Sequence, residues 1–303
     1  ANNPNFFYEA RMTSNPYRSV VYIPGGRETA LNKARNIPTD AIIFDLEDAV
    51  AATEKASARK TLVQQLLAGG YGRRIKIVRI NSLDTPWGFA DIAAIAKTTP
   101  DVILLPKVNI AAEILELSGE MSKYKGLKKT KIWAMVETPR GILNAPEIAD
   151  CIELDGMVMG TNDLAKDLNI RLDSTRSSML SALSLCVLAA RAAGITIIDG
   201  VFNAFKDDTG LRCEAVQGRD LGFDGKTLIH PAQVDIVNKA FAPSSTEIDL
   251  AQRQIVAFKE ASQNGLGVAV VDGKIVENLH VEAAHATIEK SEIILEMETL
   301  NNK

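Results

Sequence analysis

The chain has 303 residues, 46% hydrophobic and 24% charged, with a net charge of −4 at neutral pH. That composition is globular and long enough to bury a large core, and it gives no overall basic surface of the kind nucleic acid requires. No run approaches the roughly 18 apolar residues that span a bilayer, and the start lacks the basic and apolar parts of a signal peptide, so a cytoplasmic protein without membrane partners is expected.

After a polar, Pro-containing arm, Ser19-Val-Val-Tyr-Ile23 predicts a first strand, stopped by Pro24-Gly25-Gly26, and Glu28 to Arg35 has helical spacing. The unit then repeats. Ala41-Ile-Ile-Phe44 runs into Asp45-Leu-Glu-Asp48 and a helix ending at Gly69-Gly70. Arg74 to Asn81 is a third strand with a helix from Trp87 to Lys97, and Asp101 to Lys107 is a fourth with a helix from Ala111 to about Met121. The fifth is the apolar run Ile132 to Val136, which ends on Glu137-Thr-Pro-Arg-Gly141, where a strand cannot continue and a helix can open. Asp155 to Gly160, Ile195 to Asp199 and Gly225 to His230 complete eight, and the longest of the helices between them is predicted over Ser174 to Ala193.

Eight short apolar strands alternating with helices imply a parallel sheet, because parallel neighbours need crossover connections. Closure into a (β/α)8 TIM barrel is the natural reading, with an open doubly wound sheet as the alternative. No GxGxxG follows the first strand, which removes the main support for dinucleotide binding. Residues 1–243 form the expected catalytic barrel. Residues 244–303 form an extension, a lid or oligomerisation segment: a Ser244-Ser-Thr-Glu247 capping box and helix, a hairpin around Asp272-Gly273, and a final helix from about Val281 to Leu300. Cys151, Cys186 and Cys213 are far apart, lack metal-ligand spacing and read as small buried hydrophobes in a reducing compartment.

In such barrels the active site lies at the C-terminal ends of the strands. Those positions are unusually polar here: Asp45, Glu47 and Asp48 after the second, Arg79 and Asn81 at the third, Lys107 at the fourth, and Glu137 and Arg140 after the fifth. Asn162 and Asp163 follow the sixth, Asp199 and Asn203 the seventh, and His230 the eighth. Any one of them has a plain structural explanation, since Asp and Asn cap helices and Arg or Lys is often solvated. Together they bring carboxylates and cations from several strands to one centre. Carboxylates without nearby Cys or His suit a hard cation such as Mg2+, and Glu137 and Asp163, from adjacent strands, are the candidate ligands, although Glu137 alone could equally cap the next helix. Arg79 is placed to stabilise negative charge on a substrate oxygen, or to pair with Asp45 or Glu47; the two are compatible. His230, before a proline, reads as a structural hydrogen-bonding residue rather than a ligand.

In chain order, Arg18-Ser-Val with Pro24-Gly25, Asp45-Leu-Glu-Asp-Ala-Val50, Val78-Arg79-Ile-Asn81, Leu105-Pro-Lys107, Glu137-Thr-Pro-Arg-Gly141, Gly160-Thr-Asn-Asp163-Leu and His230-Pro-Ala-Gln233 resemble the citrate lyase β-subunit-like branch of the HpcH/HpaI aldolase family. The resemblance implies a Mg2+-dependent lyase that cleaves or forms a carbon–carbon bond in a short 3-hydroxyacyl-CoA such as malyl-, citramalyl- or citryl-CoA. It implies Glu137 and Asp163 as metal ligands, with Glu137 also lining the substrate site, and Arg79 as the substrate-oxygen contact. Glu47 and Asp48 would order Arg79 and metal-bound water, and Arg18 and Lys107 would lie near the thioester or its CoA arm. Homotrimers or larger homo-oligomers are implied, the C-terminal segment reaching over a neighbour's site. Asp48 stands where the pyruvate-aldolase branch carries a catalytic His, which favours the thioester branch. Glu277, in Ile275-Val-Glu277-Asn278, stands where many thioester lyases carry an acid/base Asp and is assigned that role. The alternatives are a metal-dependent aldolase on free hydroxy-keto acids and a citrate lyase β subunit active only with an acyl-carrier partner.

Overall fold

The computed structural model describes residues 16–301 and divides the chain into two compact units, one spanning Tyr17–Phe241 and the other formed mainly from Ala242 onward. The polar arm expected ahead of the first strand lies, up to residue 15, outside the described residues.

In the first unit eight parallel strands close in sequence order: β1 (Ser19–Pro24), β2 (Ala41–Asp45), β3 (Ile75–Arg79), β4 (Val102–Leu105), β5 (Lys131–Val136), β6 (Leu154–Met159), β7 (Thr196–Asp199) and β8 (Gly225–Leu228). β8 returns to pair with β1 through Val20 and Thr227, so this is the TIM barrel and not the open sheet. Successive strand residues point alternately inward and outward. Val20, Ile43, Ile77, Leu104, Met135 and Ile198 pack together inside the barrel, while Val21, Phe44, Val78, Ile103 and Val136 pack with the helices outside. Both faces are dry, which is why the strands read as unbroken apolar runs. Trp133 fills the interior, edge-on to Tyr17 at 5.0 Å, and its ring would lie 2.6 Å from any Cβ on its register partner Gly156, so β6 carries no side chain there.

The helices of this unit are α1 (Glu28–Ala34), α2 (Lys55–Ala68), α3 (Gly88–Ile95), α4 (Ala111–Met121), α5 (Pro139–Leu143), α6 (Ala145–Ala149), α7 (Thr161–Asp167), α8 (Leu180–Ala193), α9 (Asp208–Leu221) and α10 (Val234–Phe241). α8 begins at Leu180, six residues later than the periodicity predicts. Asp173 explains the delay: its carboxylate accepts from the Thr175 and Ser177 side chains and from the Thr175 N–H at 2.7 Å, a local turn that competes with helix. Arg176 then turns into the protein with φ 53° and is buried.

The second unit contains α11 (Ser245–Gln263), β9 (Ala269–Val271), β10 (Lys274–Val276) and α12 (Asn278–Asn301), the last longer than any barrel helix. The expected capping box is formed: Ser244 Oγ accepts from the Glu247 N–H at 3.2 Å, and the Glu247 carboxylate accepts from the Ser244 N–H at 2.7 Å. β9 and β10 pair antiparallel around Asp272 and Gly273, both with positive φ as a two-residue hairpin turn of this kind requires. Among the described residues no helix is long and apolar enough to cross a membrane.

Candidate active site

The strand register starts the site. Asp45 ends β2 directly beside Arg79 at the end of β3, and the two form a bidentate pair, Arg79 Nε to Asp45 Oδ1 at 2.7 Å and Nη2 to Oδ2 at 2.6 Å. The same carboxylate accepts the Glu47 and Ala49 N–H groups at 2.9 and 3.0 Å, so it shapes the turn that follows β2. Burial alone would raise the Asp45 carboxyl, but the Arg79 charge and these hydrogen bonds outweigh it and hold the group below the usual carboxylate range.

With one edge of its guanidinium held by Asp45, Arg79 directs Nη1 elsewhere. Nη1 lies 3.0 Å from Glu47 Oε2 and 3.6 Å from Asp48 Oδ2, and the guanidinium carbon sits 5.1 Å from the Tyr22 ring centroid. Arg79 is therefore both the paired and the oriented arginine that the two readings describe. Glu47, also buried, pairs its other oxygen with Lys107 Nζ. Asp48 is exposed and only 3.9 Å from Lys107 at its nearest.

Lys107 occupies the left-handed region at φ 55°, a conformation that costs a non-glycine residue roughly 1 kcal/mol or more. That twist lets one residue serve two carboxylates: its side chain goes to Glu47 while its backbone N–H donates to Glu137 Oε1 at 2.8 Å. Glu137, one residue past β5, is 2% exposed, and its side chain fills the space that a Cβ on Gly160 would need. Asp163, half-buried on α7, is near enough for its charge to act on Glu137. Burial, with the charges of Glu47 and Asp163, pushes the Glu137 carboxyl up to about 8, against the pull of the Lys107 N–H and Arg79.

Five carboxylates (Asp45, Glu47, Asp48, Glu137, Asp163) thus gather with three cations, Arg79, Lys107 and, behind the turn, Lys55. The oxygen-only donor set, crowded enough to push the Glu137 carboxyl up to about 8, fits a hard divalent cation that would replace its proton. Among the described residues no group of three or more His, Cys, Asp or Glu is arranged to hold a metal ion, so a cation here would rest on one or two carboxylates, as Mg2+ commonly does, with water or substrate in its other positions. A cavity of about 620 Å3 opens from Glu47, Asp48 and Lys107 past Asn81, Trp87, Asn109 and Thr138.

Two expected site residues stand elsewhere in the barrel. Arg18 precedes β1, at the opposite end of the barrel, roughly 20 Å of strand away from the mouth, and is buried in a pair with Asp40 at 2.9 Å. Its expected place near the thioester or CoA arm is therefore corrected: Arg18 joins the starts of β1 and β2. Asp199 ends β7 but points outward, away from its inward neighbour Ile198, into a buried cluster with Arg176, Lys226 and Glu214. Glu277 is exposed in the second unit, where its N–H donates to His280 Nδ1 at 3.0 Å. His230 has the structural role expected of it, accepting the Ala232 N–H at Nδ1 and stacking on Phe205. Sequence reasoning missed Tyr22, a polar-tipped ring in an apolar strand, and Lys55, which reads as one more solvated lysine on a polar helix.

Comparison with known proteins follows the same lines. The family model described as HpcH/HpaI aldolase/citrate lyase matches residues 18–231. A (3S)-malyl-CoA thioesterase of Cereibacter sphaeroides (strain ATCC 17025 / ATH 2.4.3) is 56% identical over 281 residues, 93% of this chain and 96% of that protein. The citrate lyase subunit beta of Escherichia coli (strain K12) is 34% identical over 282 residues, 91% and 93% of the two chains. The crystal structure of protein CitE from Mycobacterium tuberculosis in complex with magnesium, acetoacetate and coenzyme A superposes with a TM-score of 0.75 at 29% identity, covering 92% of this chain and all of that one.

Proposed function

We propose that this chain, which belongs to the HpcH/HpaI aldolase/citrate lyase family, is a Mg2+-dependent carbon–carbon lyase acting on a short 3-hydroxyacyl-CoA of the malyl, citramalyl or citryl kind. The observation that carries this reading is the crowding of carboxyl groups around one oriented arginine at the barrel mouth, in a chain whose relatives are named for malyl-CoA and citrate chemistry.

Glu137 and Asp163 are the residues that would hold the cation. Mg2+ bound there would act as a Lewis acid on substrate oxygens and lower the pKa of the hydroxyl. Cleavage removes the hydroxyl proton, converts C–O to a carbonyl, and leaves the carbon–carbon bond pair on the acetyl-CoA fragment, which takes up a proton at carbon. The products are acetyl-CoA and glyoxylate or another keto acid. Arg79, locked by Asp45 on one edge and by Glu47 on another, presents fixed positive charge to the oxygen that becomes negative, and needs little reorganisation to do so. Glu47 and Asp48 orient Arg79 and Lys107, and Lys107 lies beside the cavity where an acyl-CoA enters. Glu277 is the proposed acid for the carbon, supplied by a neighbouring copy in a homotrimer or larger homo-oligomer. Cys151 and Cys186 are buried as small hydrophobes, whereas Cys213, expected to be buried with them, is exposed on α9; a cytoplasmic setting is proposed.

A second reading, hydrolysis of the malyl thioester, is favoured by the 56% identity to the (3S)-malyl-CoA thioesterase. One experiment separates them. Purified chain is incubated with (3S)-malyl-CoA and Mg2+, and free thiol, acetyl-CoA and glyoxylate are measured together. Carbon–carbon cleavage releases acetyl-CoA and glyoxylate without thiol; hydrolysis releases malate and free CoA. Turnover by the chain alone also excludes dependence on an acyl-carrier partner, and turnover only of a free 4-hydroxy-2-keto acid would overturn the thioester assignment.

A further inference from the structure

We infer that Lys55 is a positioning residue for Glu47, holding from behind the turn that presents this carboxylate to Arg79 and Lys107. The inference rests on reading the barrel mouth as the active site. Lys55 opens α2 and is only 7% exposed, yet both of its hydrogen-bond acceptors are backbone carbonyls of the Asp45-Leu-Glu-Asp48 turn: Leu46 O at 2.9 Å and Glu47 O at 2.7 Å. Its ammonium lies 5.3 Å from the centroid of the Trp87 ring, and both residues line the inner wall of the cavity.

The opposite side of the same turn is fixed by other groups. The Leu46 N–H donates to Arg79 O at 3.0 Å and the Glu47 N–H to Asp45 Oδ1 at 2.9 Å. Asn81 Nδ2 adds a second donor to Leu46 O at 2.9 Å and is itself held by Asp91, which Arg59 anchors at 2.7 Å. Both peptide planes at Leu46 and Glu47 are therefore held from two directions, and the Glu47 side chain emerges in a fixed place, 3.0 Å from Arg79 Nη1. Two carbonyls converging on one point suit an ammonium. It offers several donors at one atom, and charge-assisted bonds are stronger than an amide could make. A buried lysine spent on two carbonyls, when carboxylates stand close by, is costly unless the turn it holds matters.

The test is a double-mutant cycle between Lys55 and Glu47, followed on the CoA thioester that the wild type turns over. Lys55→Met lowers kcat roughly 10-fold, the size typical of groups that hold an active-site residue in place, and leaves KM within about two-fold. In a Glu47→Gln background the same change has no further effect, because the group being positioned is gone. An unchanged kcat, or an equal loss in both backgrounds, overturns the inference. Lys55→Gln, which keeps one donor, falls between wild type and Lys55→Met and serves where the methionine variant folds poorly. Crystal structures of the Lys55 variants give a readout independent of turnover. Separation of Glu47 from Arg79 supports the assignment, and a retained 3.0 Å pair contradicts it. If the wild type turns over no CoA thioester, the proposed function fails while the crystallographic arm still judges Lys55.

Discussion

Two clusters of charge sit at the C-terminal side of this barrel, built from the same ingredients to different ends. Between β7, β8 and α9, Lys226 and Asp199 are fully buried, with Lys226 Nζ 3.0 Å from Asp199 and 2.7 Å from Glu214, while Arg176 Nη1 bonds both Asp199 oxygens at 2.8 and 2.9 Å. Two cations meet two carboxylates and their charges balance, with Arg176 Nη2 left buried and, among the described residues, without a hydrogen-bond partner. At the mouth over β2 to β6, five carboxylates meet Arg79, Lys107 and Lys55, a cavity opens beside them, and Glu137 is left with its carboxyl pushed up to about 8. Balanced, buried charge holds structure together. Carboxylates crowded at a cavity, one of them shifted far from its ordinary pKa, mark a candidate functional site, the one proposed above for a divalent cation and an anionic substrate.

The contrast predicts different failures. The largest effect is expected from Glu137→Ala or Asp163→Ala, each of which should fold normally and lose Mg2+-dependent turnover by about 10²-fold or more. Circular dichroism and steady-state kinetics check it, and full activity in either variant would remove the metal assignment. Next is Lys226→Met, which removes one of two buried cations and leaves Asp199 and Glu214 to share Arg176 alone; it should cost about 3 kcal/mol of stability, with kcat per folded molecule nearly unchanged. Urea denaturation beside active-site titration separates those two quantities.

The third concerns acid. Burial works to raise the Asp199 carboxyl, but Lys226 and Arg176 outweigh it and hold the group below the usual range. A carboxylate depressed in the folded state contributes stability that is present above its unfolded pKa of about 3.9 and is lost as pH falls through the lower folded value. The wild type should therefore lose stability steeply below about pH 4, and Asp199→Asn, less stable at neutral pH, should show a shallower acid limb. The smallest effect is expected at Asp48, which is 58% exposed and stands 3.6 Å from Arg79: Asp48→Asn should change kcat by only about 10-fold or less. A loss as large as that of Glu137→Ala would move Asp48 from orienting Arg79 to the chemistry itself.

Much of the mouth is legible in the sequence because strand ends are legible. A run such as Ile132 to Val136 stops where Glu137-Thr-Pro begins, and barrel closure does the rest, bringing Asp45, Arg79, Lys107, Glu137 and Asp163 round one centre. What escaped was direction and end. Asp199 follows an apolar run just as Glu137 does, but its parity with Ile198 turns it outward into the helix layer. Arg18 comes before β1 rather than after it, and a residue before a strand belongs to the far face of the barrel whatever motif it sits in. Lys55 was hidden for another reason: helix periodicity cannot distinguish a solvated lysine from one whose ammonium folds back under the preceding turn.

The most direct test of the central claim is a crystal structure of the protein with Mg2+ and a keto acid bound. The account predicts one cation held by both Glu137 and Asp163, with a keto-acid oxygen facing Arg79. A cation that leaves either carboxylate free, or a keto acid bound away from Arg79, would contradict it.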